Sequence, residues 1–408
     1  MVKKALYAGL WLLILTGPTA SHASDSEGFR VFWKNGFRIE SSDKEFRLRI
    51  GGRIMNDWAF FLRQDDEVKA TVGDLEDGTE FRRARFYMSG TIYGRVIFES
   101  EIDFTESEQG GVETKDLYIG LKKLPIIGTL KVGHFKEPFS LEALMCSKYI
   151  TFMERSLADV FAPGRNVGIM TGGPIFAKRM TWHIGFFRET DNAGFGKGDQ
   201  GGYAGTFRLT GLPYKKEDNL LHLGFAYRYS SPDDDVVDFD ARPESHLAEN
   251  FVNTGDIPAD RLSSIGAETA LVAGPFSVQG EYMHAFIIAP SDFTYKSIYG
   301  YYIYVSWFLT GENRPYKSSS GKFGRVRPRK NFLGNTKGAG AWEVAVRYSH
   351  LDLDDEEGRL HGGILNDFST GINWYLNAHT RVMLNYVFAD LEDVGNTSIF
   401  QMRFQVDF

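Results

Sequence analysis

The chain has 408 residues, 43% of them hydrophobic and 24% charged, with a formal net charge of −7 and a single cysteine. One cysteine excludes a disulfide framework and a cysteine-rich zinc site, and the acidic balance argues against a nucleic-acid-binding protein. No apolar run after residue 23 approaches the roughly 18 residues that a membrane-spanning helix needs. Helical membrane proteins and largely disordered chains are therefore excluded, and the excess of 33 Phe, 19 Tyr and 44 Gly remains to be explained.

Residues 1–23 have the pattern of a cleaved secretory signal peptide. Lys3 and Lys4 precede the apolar stretch 5–15, and small residues follow in the segment 21–23. The apolar stretch is too short to cross a bilayer as a helix, which favours cleavage over anchoring. Cleavage leaves 44 basic against 53 acidic residues, a formal charge of −9.

The rest of the chain alternates between apolar and polar residues with a period of two, which indicates β-strands. Between Phe46 and Leu62, one face carries apolar side chains and the other carries charged ones, and the segment that ends on Phe408 repeats the pattern. Apolar faces toward lipid, polar faces toward a wet lumen and aromatic residues near strand ends are typical of membrane barrels. With sixteen such segments, the sequence predicts an all-β fold. Residues 24–44 form an N-terminal periplasmic segment, and residues 45–408 form a transmembrane antiparallel β-barrel of about 16 strands.

The connections between these segments alternate in length. Tight turns such as 212–213 and 376–378 are separated by long polar loops such as 231–261 and 350–365. Short periplasmic turns and long outer loops are the asymmetry of bacterial barrels. The connection 310–340 breaks this rule, because it is long yet falls on the short-turn side.

Three stretches resemble the phosphate-selective porin O and P family. The longest is 136–168, which begins Lys-Glu-Pro-Phe-Ser, and the others are 309–326 and the opening 46–53 followed by 81–85. The resemblance implies a homotrimeric sixteen-stranded barrel in the bacterial outer membrane, in contact with lipid and lipopolysaccharide. Through it phosphate or other small anions would diffuse passively, without a cofactor, a metal or enzyme chemistry.

The same resemblance implies that segment 136–164 folds into the lumen and narrows the pore. Lys136, Ser140 and Lys148 match in spacing the residues that hold an anion at that constriction. Phosphate needs donors and positive charge where a narrow pore removes some of its water. The alternative is that both lysines only anchor the loop through pairs with carboxylates.

The family also lines its pore with a ladder of arginines, and six arginines of this chain are candidates. They are Arg47, Arg49, Arg53, Arg83, Arg85 and Arg95. Acidic residues alternate onto the same polar faces, so these arginines could instead brace the wall. Because of these lumen acids, an alternative function remains: a general porin, or a pyrophosphate or organic-anion porin, without strict phosphate selectivity.

The connection 310–340 matches the place of a basic cluster at the periplasmic mouth of the family's pore. It carries eight basic residues and the single acid Glu312. The positive electrostatic field of such a cluster raises the local concentration of anions within about 8 Å. The alternative is a solvated flexible turn. The eight are Arg314, Lys317, Lys322, Arg325, Arg327, Arg329, Lys330 and Lys337.

Other functional classes have weaker support. An outer-membrane barrel hydrolase needs a serine beside a histidine, but the neighbours Ser349 and His350 point to opposite faces. The histidines lack metal-binding spacing, and segment 352–357 lacks the glycine and ligand order of a calcium loop. A secreted β-sandwich or adhesin is the third alternative, which solubility without detergent would support.

Overall fold

The computed structural model describes residues 28–105, 112–191, 194–196, 202–289, 295–332, 338–355 and 360–408. The signal peptide predicted over residues 1–23 lies outside the described residues. Within them the strands are β1 (Phe29–Trp33), β2 (Phe37–Ser41), β3 (Arg47–Gln64), β4 (Gly78–Ile92), β5 (Val96–Asp103), β6 (Glu113–Leu124), β7 (Gly128–Lys136), β8 (Arg165–Ile175), β9 (Met180–Arg188), β10 (Tyr203–Lys216), β11 (Asn219–Ser231), β12 (Val236–Val237), β13 (Asp240–Ala241), β14 (Val252–Asn253), β15 (Ile257–Pro258), β16 (Arg261–Ala273), β17 (Phe276–Ile288), β18 (Tyr295–Phe308), β19 (Tyr316–Lys317), β20 (Lys322–Phe323), β21 (Ala341–Asp354), β22 (His361–Tyr375), β23 (Thr380–Leu391) and β24 (Gly395–Asp407).

Helical structure is short. The α-helices are α1 (Asp66–Val72) and α2 (Leu141–Leu144), and the 3-10 turns are Leu157–Phe161, Phe176–Lys178 and Asp233–Asp235. In the part of the chain that the structure describes, no helix is long and apolar enough to cross a membrane.

Sixteen strands form one closed barrel, as the alternation predicts. They are β3–β11, β16–β18 and β21–β24, and each pairs antiparallel with the next. The last strand, β24, pairs with the first, β3, in a register that sets Asp407 opposite Arg53. Closure gives every barrel strand two neighbours, so no backbone edge is left without hydrogen-bond partners. The fold prediction is confirmed.

The apolar faces point outward and the polar faces point inward, the reverse of a soluble sandwich. On β24, Phe404 is 50% exposed and Val406 39%, whereas Arg403 is fully buried and Asp407 is 3% exposed. The alternation therefore separates two environments along each strand. The excess of Phe and Tyr is explained by this outer surface, where many of these residues lie.

The segment 232–260, called here the inward loop, lies within the predicted long polar loop 231–261, and much of it is buried inside the barrel. Phe239 and Phe251 are buried and pack with Leu351 and Leu365 of the barrel wall. Glu244 accepts a hydrogen bond from Ser349 at 2.5 Å and also pairs with Arg347. Apolar side chains inside a largely polar segment thus dock it into the barrel.

The first two strands extend the wall rather than close it. They form a hairpin in which Trp33 lies opposite Phe37, and β2 pairs with β3 so that Phe37 lies opposite Ile50. Within the predicted periplasmic segment 24–44, two strands of five residues each therefore continue the barrel sheet.

Candidate pore constriction

A cavity of about 500 Å³ lies inside the barrel, between the wall of β3–β10 and two segments that fold into the lumen. Among the described residues, its lining contains twelve lysine and arginine side chains but only three carboxylates, those of Glu99, Glu101 and Asp116. The basic residues are Arg49, Arg53, Arg83, Arg85, Lys131, Lys136, Lys148, Arg155, Arg165, Arg208, Lys317 and Lys322.

One of these segments is the inserted loop, residues 137–164, which is held by the wall opposite the cavity. The backbone N–H groups of Leu141 and Glu142 donate to the Glu281 carboxylate at 2.8 and 2.7 Å. Ser140 accepts from the backbone N–H of Ala143 at 3.1 Å, so its hydroxyl caps α2. Ser140 is buried and does not line the cavity, so the structure does not bring it to the position implied by the resemblance.

Lys136 and Lys148 both line the cavity, and both also hold the inserted loop. Lys136 donates to the carbonyl oxygen of Ala143. The Lys148 Nζ lies 3.8 Å from Asp407 and 5.0 Å from the centre of the Tyr87 ring. Burial lowers the pKa of Lys148. Anchoring and lining therefore coincide in these two residues.

Arg53 connects the wall to the inserted loop. It donates to the Cys146 Sγ and to the Ser147 Oγ, both at 3.0 Å, and it pairs with Glu101. Arg85 shares Glu101 at 3.1 Å. Two cavity arginines thus use part of their donor set to brace the constriction.

The other ladder candidates divide between the cavity and the barrel rim. Arg83 lies 3.8 Å from Glu154, Arg49 donates to the Tyr87 hydroxyl, and both line the cavity. Arg47 instead pairs with Glu40 at 3.2 Å and lies outside the cavity. Arg95, which was expected on the polar face of a strand, is exposed in the turn between β4 and β5. Strand β5 begins one residue later, so alternation cannot assign Arg95 a face.

The second segment in the lumen is the basic connection, residues 310–340. Its residues 333–337, which include Lys337, lie outside the described residues. Its hairpin β19–β20 brings Lys317 and Lys322 to the cavity. Lys322 donates to the carbonyl oxygen of Leu144 at 3.1 Å. Burial, reinforced by nearby positive charge, lowers the pKa of Lys322 to about 8. The connection is packed against the inserted loop, which is not the geometry of a solvated turn.

Arg325 and Arg327, two further candidates in this connection, do not line the cavity. Arg325 donates to Asp407 at 2.9 Å and to the Tyr149 hydroxyl at 3.2 Å. Arg327 donates to the Asn35 side chain at 3.0 Å, in an exposed position.

Sequence reasoning missed four lining cations, among them Lys131 and Arg208. The Lys131 Nζ lies 4.2 Å from the centre of the Tyr118 ring, and Lys131 forms no ion pair with any described residue. Arg208 makes two 2.7 Å bonds to Glu268, and its third nitrogen has no hydrogen-bond partner in the described structure. Alternation could have identified Lys131 as a lumen residue, because it directly precedes Val132, which is exposed on the outer face of β7. The other two are Arg155 and Arg165.

The three cavity carboxylates lie close enough together to suggest a metal site, but each has another partner. Glu101 pairs with Arg53, Asp116 pairs with Arg165 at 3.0 Å, and Glu99 accepts from a tyrosine hydroxyl at 2.8 Å. These acids orient the surrounding donors.

The hydrolase alternative has no support in this geometry. Ser349 points inward and donates to the carboxylate of the inward loop, whereas His350 contacts Asn366 at 2.7 Å and lies against Tyr301. The two side chains lie on opposite faces of β21, as alternation predicts.

Comparisons with known proteins agree with this architecture. Porin O of Pseudomonas aeruginosa is 28% identical over 92% of this chain and 90% of its own length. The anion-selective porin from Comamonas acidovorans superposes with a TM-score of 0.56 at 12% identity, covering 89% of this chain and all of that one. A trimer form of OmpT from Vibrio cholerae superposes with a TM-score of 0.54 at 10% identity, covering 89% and 99%. At such identities the two superpositions establish the fold.

The family is identified by its sequence model. The model described as "Phosphate-selective porin O and P" matches residues 48–408, which is almost the whole barrel. Family and fold together indicate a bacterial outer-membrane channel rather than an enzyme. The chain belongs to the phosphate-selective porin O and P family.

Proposed function

We propose that the protein is a passive, anion-preferring diffusion pore with phosphate as its preferred anion. The observation that carries the proposal is the excess of positive charge around the cavity, twelve basic side chains against three carboxylates. Fixed charge of one sign in a narrow, low-dielectric passage attracts counter-ions and repels ions of the same sign. The formal charge of the whole chain is negative, so the preference rests on where the charges lie.

The lining offers charge that carboxylates do not neutralise. Lys131, Lys317 and Lys322 form no ion pair with any residue in the described part of the chain. A lysine ammonium has three donors, so Lys322 keeps two after its bond to Leu144. Three unpaired ammonium groups around one cavity can share a tetrahedral oxyanion that has lost part of its water.

The paired arginines also support anion passage. A guanidinium has five N–H donors and a bidentate carboxylate uses two, so a braced arginine can still donate to an ion in the pore. Bracing and ladder functions are therefore compatible in the same side chains, and the acids hold the donors in place.

The remaining features of the proposal follow from the family. In this proposal, the signal peptide is removed and the outer wall of the barrel contacts lipid and lipopolysaccharide. The inserted loop sets the pore diameter, and three chains assemble as in the OmpT trimer. Phosphate is proposed over other anions because the matching family model is described as phosphate-selective.

Planar-bilayer recording tests the proposal. We expect the reversal potential in a KCl gradient to show chloride preference, and added phosphate to reduce the chloride current. Replacing Lys131 by Gln should weaken the phosphate block several-fold, because it removes a charge with no carboxylate partner. Lys178→Gln is the matched control, since Lys178 is exposed on a short turn and does not line the cavity.

Three results would count against the proposal at different levels. Cation preference in the gradient would refute anion selectivity. Chloride preference without phosphate block would leave a general anion porin on the same scaffold. A pyrophosphate block stronger than the phosphate block would change the preferred anion.

A further inference from the structure

The hairpin of β1 and β2 presents an apolar face that no described part of the chain covers. Phe29, Val31 and Trp33 alternate along β1 and are 60%, 57% and 58% exposed. The register sets Val31 opposite Ile39 and Trp33 opposite Phe37. Residues directly opposite each other share a face of an antiparallel pair, so these five side chains form one surface.

This surface continues the outer face of the barrel. In the β2–β3 register, Phe37 lies opposite Ile50 and Ile39 lies opposite Leu48. Ile50 and Leu48 alternate with Ile54, which is 43% exposed on the outer wall, so all of them share that wall's orientation. The apolar face of the hairpin is therefore the same face that the proposed function turns toward lipid, prolonged beyond the end of β24.

The opposite face of the hairpin has a different chemistry. There Arg30 lies opposite Glu40 and donates to it at 2.9 Å, and Arg38 lies opposite Phe32. Lys34 follows at the exposed turn. One apolar face with aromatic residues and one face with basic residues is the composition that lies at a membrane–water interface.

We propose that the β1–β2 hairpin is a membrane-interface anchor whose apolar face contacts the periplasmic leaflet of the outer membrane. The inference rests on the proposed function, because it takes the outer wall to face lipid. The hairpin lies at the barrel end that carries the C-terminus and the short turns, which is the periplasmic end in bacterial barrels. Trp33 also contacts His379 in one of those turns, with ring centres 6.4 Å apart, which ties the hairpin to the rim. The basic side chains lie on the other face of the hairpin, turned away from that leaflet.

Depth-dependent quenching tests this placement in the intact chain. In a Cys146→Ser background, single cysteines at Val31, Arg30 and Val132 carry an environment-sensitive nitrobenzoxadiazole probe. The labelled proteins are reconstituted in phosphatidylethanolamine–phosphatidylglycerol vesicles with brominated acyl chains. Val132 lies on the outer wall of β7 and is 43% exposed, so it reports whether the barrel itself is inserted. Arg30 is the matched control, because it neighbours Val31 but points to the other face.

We expect bromolipid to quench the probes at Val31 and Val132 at least twofold more than the probe at Arg30. Equal, weak quenching at Val31 and Arg30 beside a quenched Val132 would overturn the anchor while leaving the membrane barrel intact. A Val31 probe that is shielded from water but unquenched by bromolipid would assign the surface to a second copy of the chain and also overturn it. An unquenched Val132 would refute the proposed function and the anchor with it.

Discussion

We expect anion binding to change with pH through Lys322, a lysine of the basic connection. Lys322 is buried beside the inserted loop, and this burial lowers the pKa of its ammonium to about 8. A lysine carries its charge below its pKa, so raising the pH from 7 to 9 removes a positive charge from the cavity. Anion binding should therefore weaken as the pH rises.

The size of the effect follows from the geometry of the site. A unit charge about 4 Å from an anion contributes about 1 kcal/mol in water-like surroundings, and more in a less polar passage. We take the lower figure because the cavity is open to ions. About 1 kcal/mol corresponds to roughly a fivefold change in affinity.

The assay is the chloride concentration that half-saturates single-channel conductance, measured at pH 7 and pH 9. Chloride is the probe because phosphate itself changes charge with pH. We expect the half-saturating concentration to rise about fivefold between the two pH values. Lys322→Gln should give the high value at both, since its side chain is neutral throughout.

Lys322→Arg is the decisive variant, because a guanidinium stays charged at pH 9. It should keep the low half-saturating concentration at both pH values, and Lys178→Gln should behave as the parent protein. A fivefold rise that persists in Lys322→Gln would refute the reasoning and assign the titration to another group.

Three further predictions concern the segments that fill the lumen. Glu281→Ala leaves the buried N–H groups of Leu141 and Glu142 without their acceptor, at a cost of about 1–3 kcal/mol each. Open-channel current noise and protease cleavage in the inserted loop should rise, and parent-like noise would contradict this role. Cys146 lines the cavity, so a negatively charged methanethiosulfonate should block the channel faster than a positively charged one of similar size, and equal rates would contradict an anion-attracting cavity. Glu244→Ala removes the acceptor that holds the inward loop and should increase conductance, which an unchanged single-channel current would disprove.

The barrel was predictable from sequence because each strand is long and separates lipid from lumen. A period-two pattern that continues from Phe46 to Leu62 can be read without any long-range contact. The same pattern gives the face of a lumen cation such as Arg53 or Arg83, and both line the cavity. It failed at Arg95, which lies one residue outside its strand.

The segments that fold into the lumen, and the residues that hold them there, were harder to predict from the sequence. The backbone of Leu141 is held by Glu281, 140 positions away, and the side chain of Glu244 by strands more than 100 positions away. Alternation reports which face a residue occupies but not which loop reaches it. The resemblance assigned Ser140 to the anion by spacing alone, and spacing does not show that its hydroxyl caps a helix inside the loop.

Asp407 connects the two segments in the lumen to the seam where the barrel closes. This penultimate residue of the chain contacts Lys148 of the inserted loop and Arg325 of the basic connection. It becomes available at that position only when β24 pairs with β3. Both lumen segments thus remain without this contact until the cylinder is sealed. A barrel left open at this seam would therefore lack the Asp407 contacts that help to hold both segments in the lumen.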